Sequence, residues 1–141
     1  MLDQARLQRL IGYNLRRAEV VMRGRVGALL AQSDLRAVEY SILSLLAANA
    51  EVTQKDLGEA LAVKRPNMVA LIDRLETRGL VTRAVLARDR RNQVLTLTPA
   101  GTALLAQTDA RLDALENAAF ADWSAAERAQ VARMLRRIAG T

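Results

Sequence analysis

The chain contains no cysteine and no histidine. Without Cys, disulfides, thiolate zinc sites and thiol-based redox switching are excluded. Without His, the commonest general base and the commonest metal ligand are both missing, so no metal, no cofactor and no catalytic centre is expected. Aromatic residues make up only 3% of the chain, namely Tyr13, Tyr40, Phe120 and Trp123, and Pro66 and Pro99 are the two prolines. No apolar run approaches the roughly 18 residues of a membrane span. The opening segment, Met1–Arg9, carries Asp3 and has no apolar stretch of the secretory-signal kind. These absences lead us to expect a cytoplasmic, non-enzymatic protein with no membrane partner.

What is present is a core and an unevenly placed positive charge. An apolar fraction of 51% in 141 residues suffices for one compact domain, although length alone does not exclude an obligate dimer sharing a core. Lys and Arg total 21 against 15 Asp and Glu, for a net charge of +6; 19 of the cations are Arg, and the other two are Lys55 and Lys64. Residues 1–34 hold six cations against three acids, 35–62 two against four, 63–98 eight against three, and 99–141 five against five. The 36-residue stretch 63–98 therefore carries most of the excess. A concentrated basic stretch attracts polyanions, nucleic acid first among them. The alternative is a solvated Arg-rich face.

Periodicity places that stretch in a fold. Leu7, Leu10, Ile11, Leu15, Ala18, Val21, Met22, Val26 and Leu29 recur at helical spacing and predict one long amphipathic helix from Leu7 to Leu30. Gly24 and Gly27 within it mark a kink or a close helix crossing. Ser33 or Asp34 caps a second helix with Leu35, Val38, Ile42, Leu45 and Leu46 inward, and Asn49–Glu51 is a connector. Thr53 and Asp56 form a capping box for a short helix carrying Leu57, Ala60 and Leu61. After a tight link, Pro66 opens a helix that buries Met68, Leu71, Ile72 and Leu75 and stops at Gly79. Two short helices so joined are the helix-turn-helix plan. Leu80–Leu86 and Gln93–Thr98 alternate as strands around a polar loop, Ala87–Asn92, making an arginine-tipped hairpin, or wing. A helix from Pro99 to about Ala119 and a last one capped by Ser124 and Glu127, with Val131, Met134, Leu135 and Ile138 inward, complete the chain.

The expected architecture is thus mostly α with a small β-hairpin wing. A winged helix-turn-helix module (35–98) is flanked by N-terminal (1–34) and C-terminal (99–141) dimerisation helices within one continuous structural domain. The end helices have wide apolar stripes and few partners in their own chain, a burial problem that a twofold homodimer solves. Asp109, Asp113, Glu116 and Asp122 are the acids an enzyme would use. The first three are spaced as an exposed helical face, however, and no Gly-rich phosphate loop or nucleophile–base pair accompanies them.

This order of elements, with the strings Leu71-Ile72-Asp73-Arg74-Leu75-Glu76-Thr77-Arg78-Gly79-Leu80-Val81, Asp89-Arg90-Arg91 and Leu97-Thr98-Pro99-Ala100-Gly101, resembles the MarR family of bacterial winged-helix transcription factors over nearly the whole chain. The resemblance implies a homodimer on a pseudo-palindromic DNA operator, in many members released by a small molecule bound between the dimerisation helices and the winged module.

The helix beginning near Pro66 is the candidate major-groove reader, presenting Asn67, Val69, Ala70, Asp73, Arg74 and Thr77 outward. Asn67 suits adenine, or simply caps the helix, and Val69 and Ala70 suit thymine methyl groups. At the position of Ala70 family members often carry a long polar residue, frequently Arg, and this chain departs from that pattern. Lys55, Lys64 and Arg65 are placed for phosphates. By resemblance Arg91 enters the minor groove, Asp89 orients it, and Arg88 and Arg90 lie near phosphates. Lack of Cys argues against peroxide and thiol sensing, and lack of His against metal sensing. A small organic effector remains, which the resemblance implies is often an aromatic acid or its thioester, with Tyr13, Asn14, Arg17 and Tyr40 as candidate pocket residues. The competing reading is a winged-helix protein that coats DNA nonspecifically or docks proteins, without a ligand response.

Overall fold

The computed structural model of the chain describes residues 2–86 and 89–140, by backbone alone at 86 and 89–92. In chain order the elements are α1 (Ala5–Gln8), α2 (Ile11–Ala31), α3 (Ala37–Ala48), β1 (Val52–Thr53), α4 (Gln54–Ala60), α5 (Arg65–Thr77), β2 (Val81–Leu86), β3 (Asp89–Leu97), α6 (Pro99–Ala119) and α7 (Ala125–Ala139). The strands form one antiparallel sheet in the order β1-β3-β2. The mostly helical, winged helix-turn-helix architecture expected from periodicity is the one observed.

Three local expectations are corrected. The single helix from Leu7 to Leu30 is two helices, because the Asn14 amide donates to the Gln8 and Leu10 carbonyl oxygens (2.7 and 3.2 Å). That bonding goes with an extended Leu10 at the break. Gly24 and Gly27 lie inside an unbroken α2, and among the described residues a Cβ at either would meet nothing within 4 Å. The cap of α3 is Arg36, not Ser33 or Asp34. Its N–H donates to the Glu39 carboxylate (2.8 Å), while Asp34 sits in the left-handed region at φ 49°. The hairpin loop is shorter than residues 87–92. Leu86 pairs with Asp89, whereas Val85 pairs with Gln93, and the register shift between them makes a bulge on β3. β1 was not expected at all. Two residues are too few for an alternation signal, and Val52 and Thr53 are strand only because Leu95 and Val94 pair with them.

The two capping boxes read from the sequence are present. Asp56 accepts from the Thr53 N–H (2.8 Å) and Glu127 from the Ser124 N–H (2.7 Å), and each cap hydroxyl accepts in return from the backbone three residues on. Hydrogen bonding by the cap residue holds both carboxyls below the usual carboxylate range. The help they give is therefore complete above the unfolded value and is lost as pH falls through the lowered one.

The core lies in the winged module. Ile42, Leu43, Leu57, Met68, Ile72 and Leu75 are essentially inaccessible to water, and Val81 and Leu95 close the sheet side. From the terminal helices only Leu30 of α2 and Leu105 of α6 reach full burial among the large apolar residues. Ile11 and Ile138 remain 76% and 61% exposed, as do, to lesser degrees, Val21, Met134 and Leu135.

The Leu-Thr-Pro-Ala-Gly string joins the module to α6. The Thr98 N–H donates to the Leu80 carbonyl (3.1 Å), and its hydroxyl donates to the Gly79 carbonyl (2.6 Å) while accepting from the Gly101 N–H (3.0 Å). Gly79, at φ 67°, makes the left-handed stop after α5, with the Leu80 N–H returning to the Leu75 carbonyl. Gly101 packs so close to this turn that a Cβ there would fall 2.1 Å from the Leu80 carbonyl oxygen. Gly101→Ala is therefore expected to reduce unfolding free energy by roughly 1–3 kcal/mol or more. A thermal midpoint equal to that of the parent would show that the crossing is not tight.

Candidate nucleic-acid interface

α5 earns its exposure from its own periodicity. Met68, Ile72 and Leu75 are fully buried on one side, leaving Lys64, Arg65, Asn67, Val69 and Ala70 accessible at the N-terminal end. The turn before it is tight. Ala62 adopts φ 51°, the Val63 N–H donates to the Gly58 carbonyl (2.9 Å), and a Cβ on Gly58 would lie 3.1 Å from the Val63 carbonyl oxygen. α4 and α5 are thereby held as a helix-turn-helix.

Between α4, the start of α5 and the wing strands lies an open cleft of about 830 Å³. Lys55, Arg65, Arg83, Thr53 and Gln93 are among its lining residues. Lys55 approaches Glu59 at 3.7 Å with both side chains well exposed, a contact that adds little. Among the described residues no ion pair engages Lys64 or Arg65, which leaves both guanidinium and ammonium groups available to an anion. Asp89, Arg90 and Arg91 lie at the start of β3, their side chains outside the description, and Arg88 lies outside the described residues.

Arg74 and Asp73, expected on the outward face of α5, are engaged by the protein itself. Arg74 turns back to the α2–α3 junction, where it donates to the fully buried Glu39 carboxylate and to Asp34 Oδ1 (2.7 Å). The Glu39 hydrogen bond is the main cause that raises its guanidinium above the ordinary value. Asp73 and Glu76, one helical turn apart, both accept from Arg83 of β2. Arg83 did not figure among the candidates read from the sequence. Its signal was available, though: two carboxylates one turn apart on the outward face of α5 attract a nearby cation, and Arg83 is the next one outside α5 and its cap.

The candidate pocket residues divide. Tyr13 Oη donates to Gln4 Oε1 (3.0 Å), and Arg17 donates to the same oxygen (3.2 Å) with its guanidinium 5.8 Å from the Tyr13 ring centre. Asn14 lies beside them, engaged by the α1–α2 backbone. An open cleft of about 550 Å³ adjoins this cluster, lined by Arg17 with Asp3, Gln4 and Gln8. Tyr40 is elsewhere, on α3, donating to Asp109 Oδ1 of α6 (2.8 Å). Burial first, then that hydrogen bond, raises its phenol above the usual value, so it stays neutral near pH 7. Asp109 is correspondingly half-buried rather than part of an exposed acidic face.

A paired-helix reader beside a hairpin wing defines a winged helix-turn-helix protein of the transcription-regulator class. Residues 33–92 match the model of the MarR family. The chain is 32% identical to a MarR-family transcriptional regulator from Rhodococcus sp. RHA1, with TM-score 0.80 and coverage of 92% of this chain and 91% of that one. It is 34% identical to the transcriptional repressor CouR in a complex with a 23-mer DNA duplex, with TM-score 0.88 and 99% of both chains covered. CouR from Rhodococcus jostii RHA1 has also been solved with p-coumaroyl-CoA, at 33% identity, TM-score 0.83 and coverage of 97% and 96%. A putative transcriptional regulatory protein for the hcr operon of Thauera aromatica is 28% identical over 129 residues, 91% of this chain and 78% of that protein. The chain belongs to the MarR family of transcriptional regulators.

The Arg83 contacts make the wing angle depend on α5. Arg83→Ala should accelerate amide hydrogen exchange along β2 and β3 while leaving α3 protected. Equal exchange in both proteins would mean that the strand ladder alone holds the wing.

Proposed function

We propose that the chain is a homodimeric repressor that grips a pseudo-palindromic duplex and is released by a small anionic aromatic effector. The observation that carries the DNA part is the accessible cationic entrance of α5, Lys64 and Arg65, neither in an ion pair among the described residues, with Arg65 lining the cleft beside the wing. In this reading Lys55, Lys64 and Arg65 meet phosphates, and Asn67 reaches a base edge at the N-terminal end of the reading helix. Val69 and Ala70 press on thymine methyls. At the wing, Arg91 enters the minor groove, Asp89 orients it, and Arg88 and Arg90 lie near phosphates. Arg74 takes no part in contact, because both terminal nitrogens of its guanidinium are turned to Glu39 and Asp34.

A second copy is the occupant proposed for the uncovered faces of α2 and α7. Leu135→Asp changes a residue that is 41% exposed in the single chain. It is therefore expected to give a folded monomer in sedimentation experiments, and a persistent dimer would refute the assignment.

For the effector, the Arg17 guanidinium over the Tyr13 ring offers a charge and an aromatic face together. That pairing suits an aromatic carboxylate or its coenzyme A thioester, in keeping with CouR and p-coumaroyl-CoA. Tyr40, bonded to α6, is proposed as a more distant wall of the same site.

The test is a titration of a duplex selected by the protein from a random pool, against a scrambled duplex at matched salt. Arg91→Ala and Arg65→Ala should each weaken the selected duplex, Arg91→Ala by about 1–3 kcal/mol. Adding p-coumaroyl-CoA should release the duplex from the parent and less so from Arg17→Ala. Equal affinity for both duplexes would favour the nonspecific DNA-coating reading, which the largely apolar Val69 and Ala70 face supports.

A further inference from the structure

Three helices converge on the short loop between α2 and α3, α5 and α6 through arginines and α3 through a carboxylate. From α5, Arg74 donates to the Asp34 carboxylate (2.7 Å) and the Asp34 carbonyl (3.2 Å), and Arg78 donates to the carbonyls of Asp34 (2.6 Å) and Ser33 (3.0 Å). From α6, Arg111 donates to the Gln32 side-chain oxygen and reaches the Ser33 hydroxyl (3.4 Å). From α3, Glu39 holds the Arg36 N–H with one oxygen and Arg74 with the other. Asp34 itself is held at φ 49°, a conformation that only the surrounding bonds and the aspartate's tolerance of the left-handed region sustain. None of these groups lies at the exposed N-terminal end of α5.

We propose that the 32–36 loop is the joint that seats the reading helix, with Asp34 as the positioning residue for DNA recognition and Arg111 as the link through which movement of α6 reaches α5. Two carbonyls and a carboxylate of this loop fix the C-terminal half of α5 through Arg74 and Arg78. A small turn of the loop therefore tilts the whole helix and moves its N-terminal end relative to the groove. α6, which supplies Arg111, also carries Asp109, the partner of Tyr40. The loop thus sits where a change at the terminal helices is passed to the reader. The inference rests on the sequence-selective DNA binding proposed above.

Asp34→Asn tests it, because charge and positioning predict opposite results. Asn keeps the left-handed conformation and removes a negative charge, which by electrostatics alone raises affinity for any duplex. The joint predicts that affinity for the selected duplex falls by roughly 2- to 30-fold, while affinity for the scrambled duplex stays level or rises. A rise in both affinities overturns the proposal. Should Asp34→Asn fail to fold, Arg111→Gln decides the matter. The joint predicts a lower ratio of selected to scrambled affinity, whereas an equal loss on both duplexes reports one missing cation and overturns it. A parent protein that selects no sequence at all would instead remove the DNA-recognition reading beneath it.

Discussion

The orientation of the reading helix depends on a carboxylate that has no access to water. Glu39 is buried in the core side of α3, and a carboxylate charge so placed is costly without a partner. Arg74 supplies that partner from α5, and in doing so ties α5 to α3 at one azimuth, with Met68, Ile72 and Leu75 directed inward. The face left outward then follows, along with the end of α5 that can meet an anion. The same contact withdraws Arg74 from the solvent side, so the cationic surface of the helix is confined to Lys64 and Arg65 at its start.

A second constraint is the uneven distribution of burial. The winged module fills its own interior, and the sheet edge at β1, the turn at Gly79 and the crossing at Gly101 bind wing, reader and α6 into one unit. The terminal helices do not share that interior to the same degree. Ile11 and Val21 of α2 and Met134, Leu135 and Ile138 of α7 stay exposed, and α7 has no buried residue. A chain that orders a 15-residue helix without covering it is built to have it covered by something else, which is the physical content of the dimer proposal.

Ion pairs organise the interface by subtraction. Of the cations in the basic stretch, Arg74 and Arg78 are spent on the α2–α3 loop and Arg83 on Asp73 and Glu76. Counting charge along the sequence overstates what is free to meet a polyanion, because each of these contacts joins residues at least seven positions apart. The arrangement also gives the reader two supports of different kinds: one from the wing through Arg83, the other from the terminal helices through the loop.

The sequence by itself determined the order of helices, the Thr53–Asp56 and Ser124–Glu127 caps, the stop at Gly79 and the wing hairpin, because each is written in residues within a turn or two of one another. The family strings were legible for the same reason. Only the tertiary structure decided that Asp34 is a hub rather than a helix cap, that Arg74 faces inward, that Arg83 clamps the wing, that Tyr40 stands apart from Tyr13 and Arg17, and that β1 exists. Those outcomes join side chains or strands far apart in the chain, and no local spacing records which cation a buried or crowded carboxylate will take. Pairing of that kind is settled by which faces the core brings together.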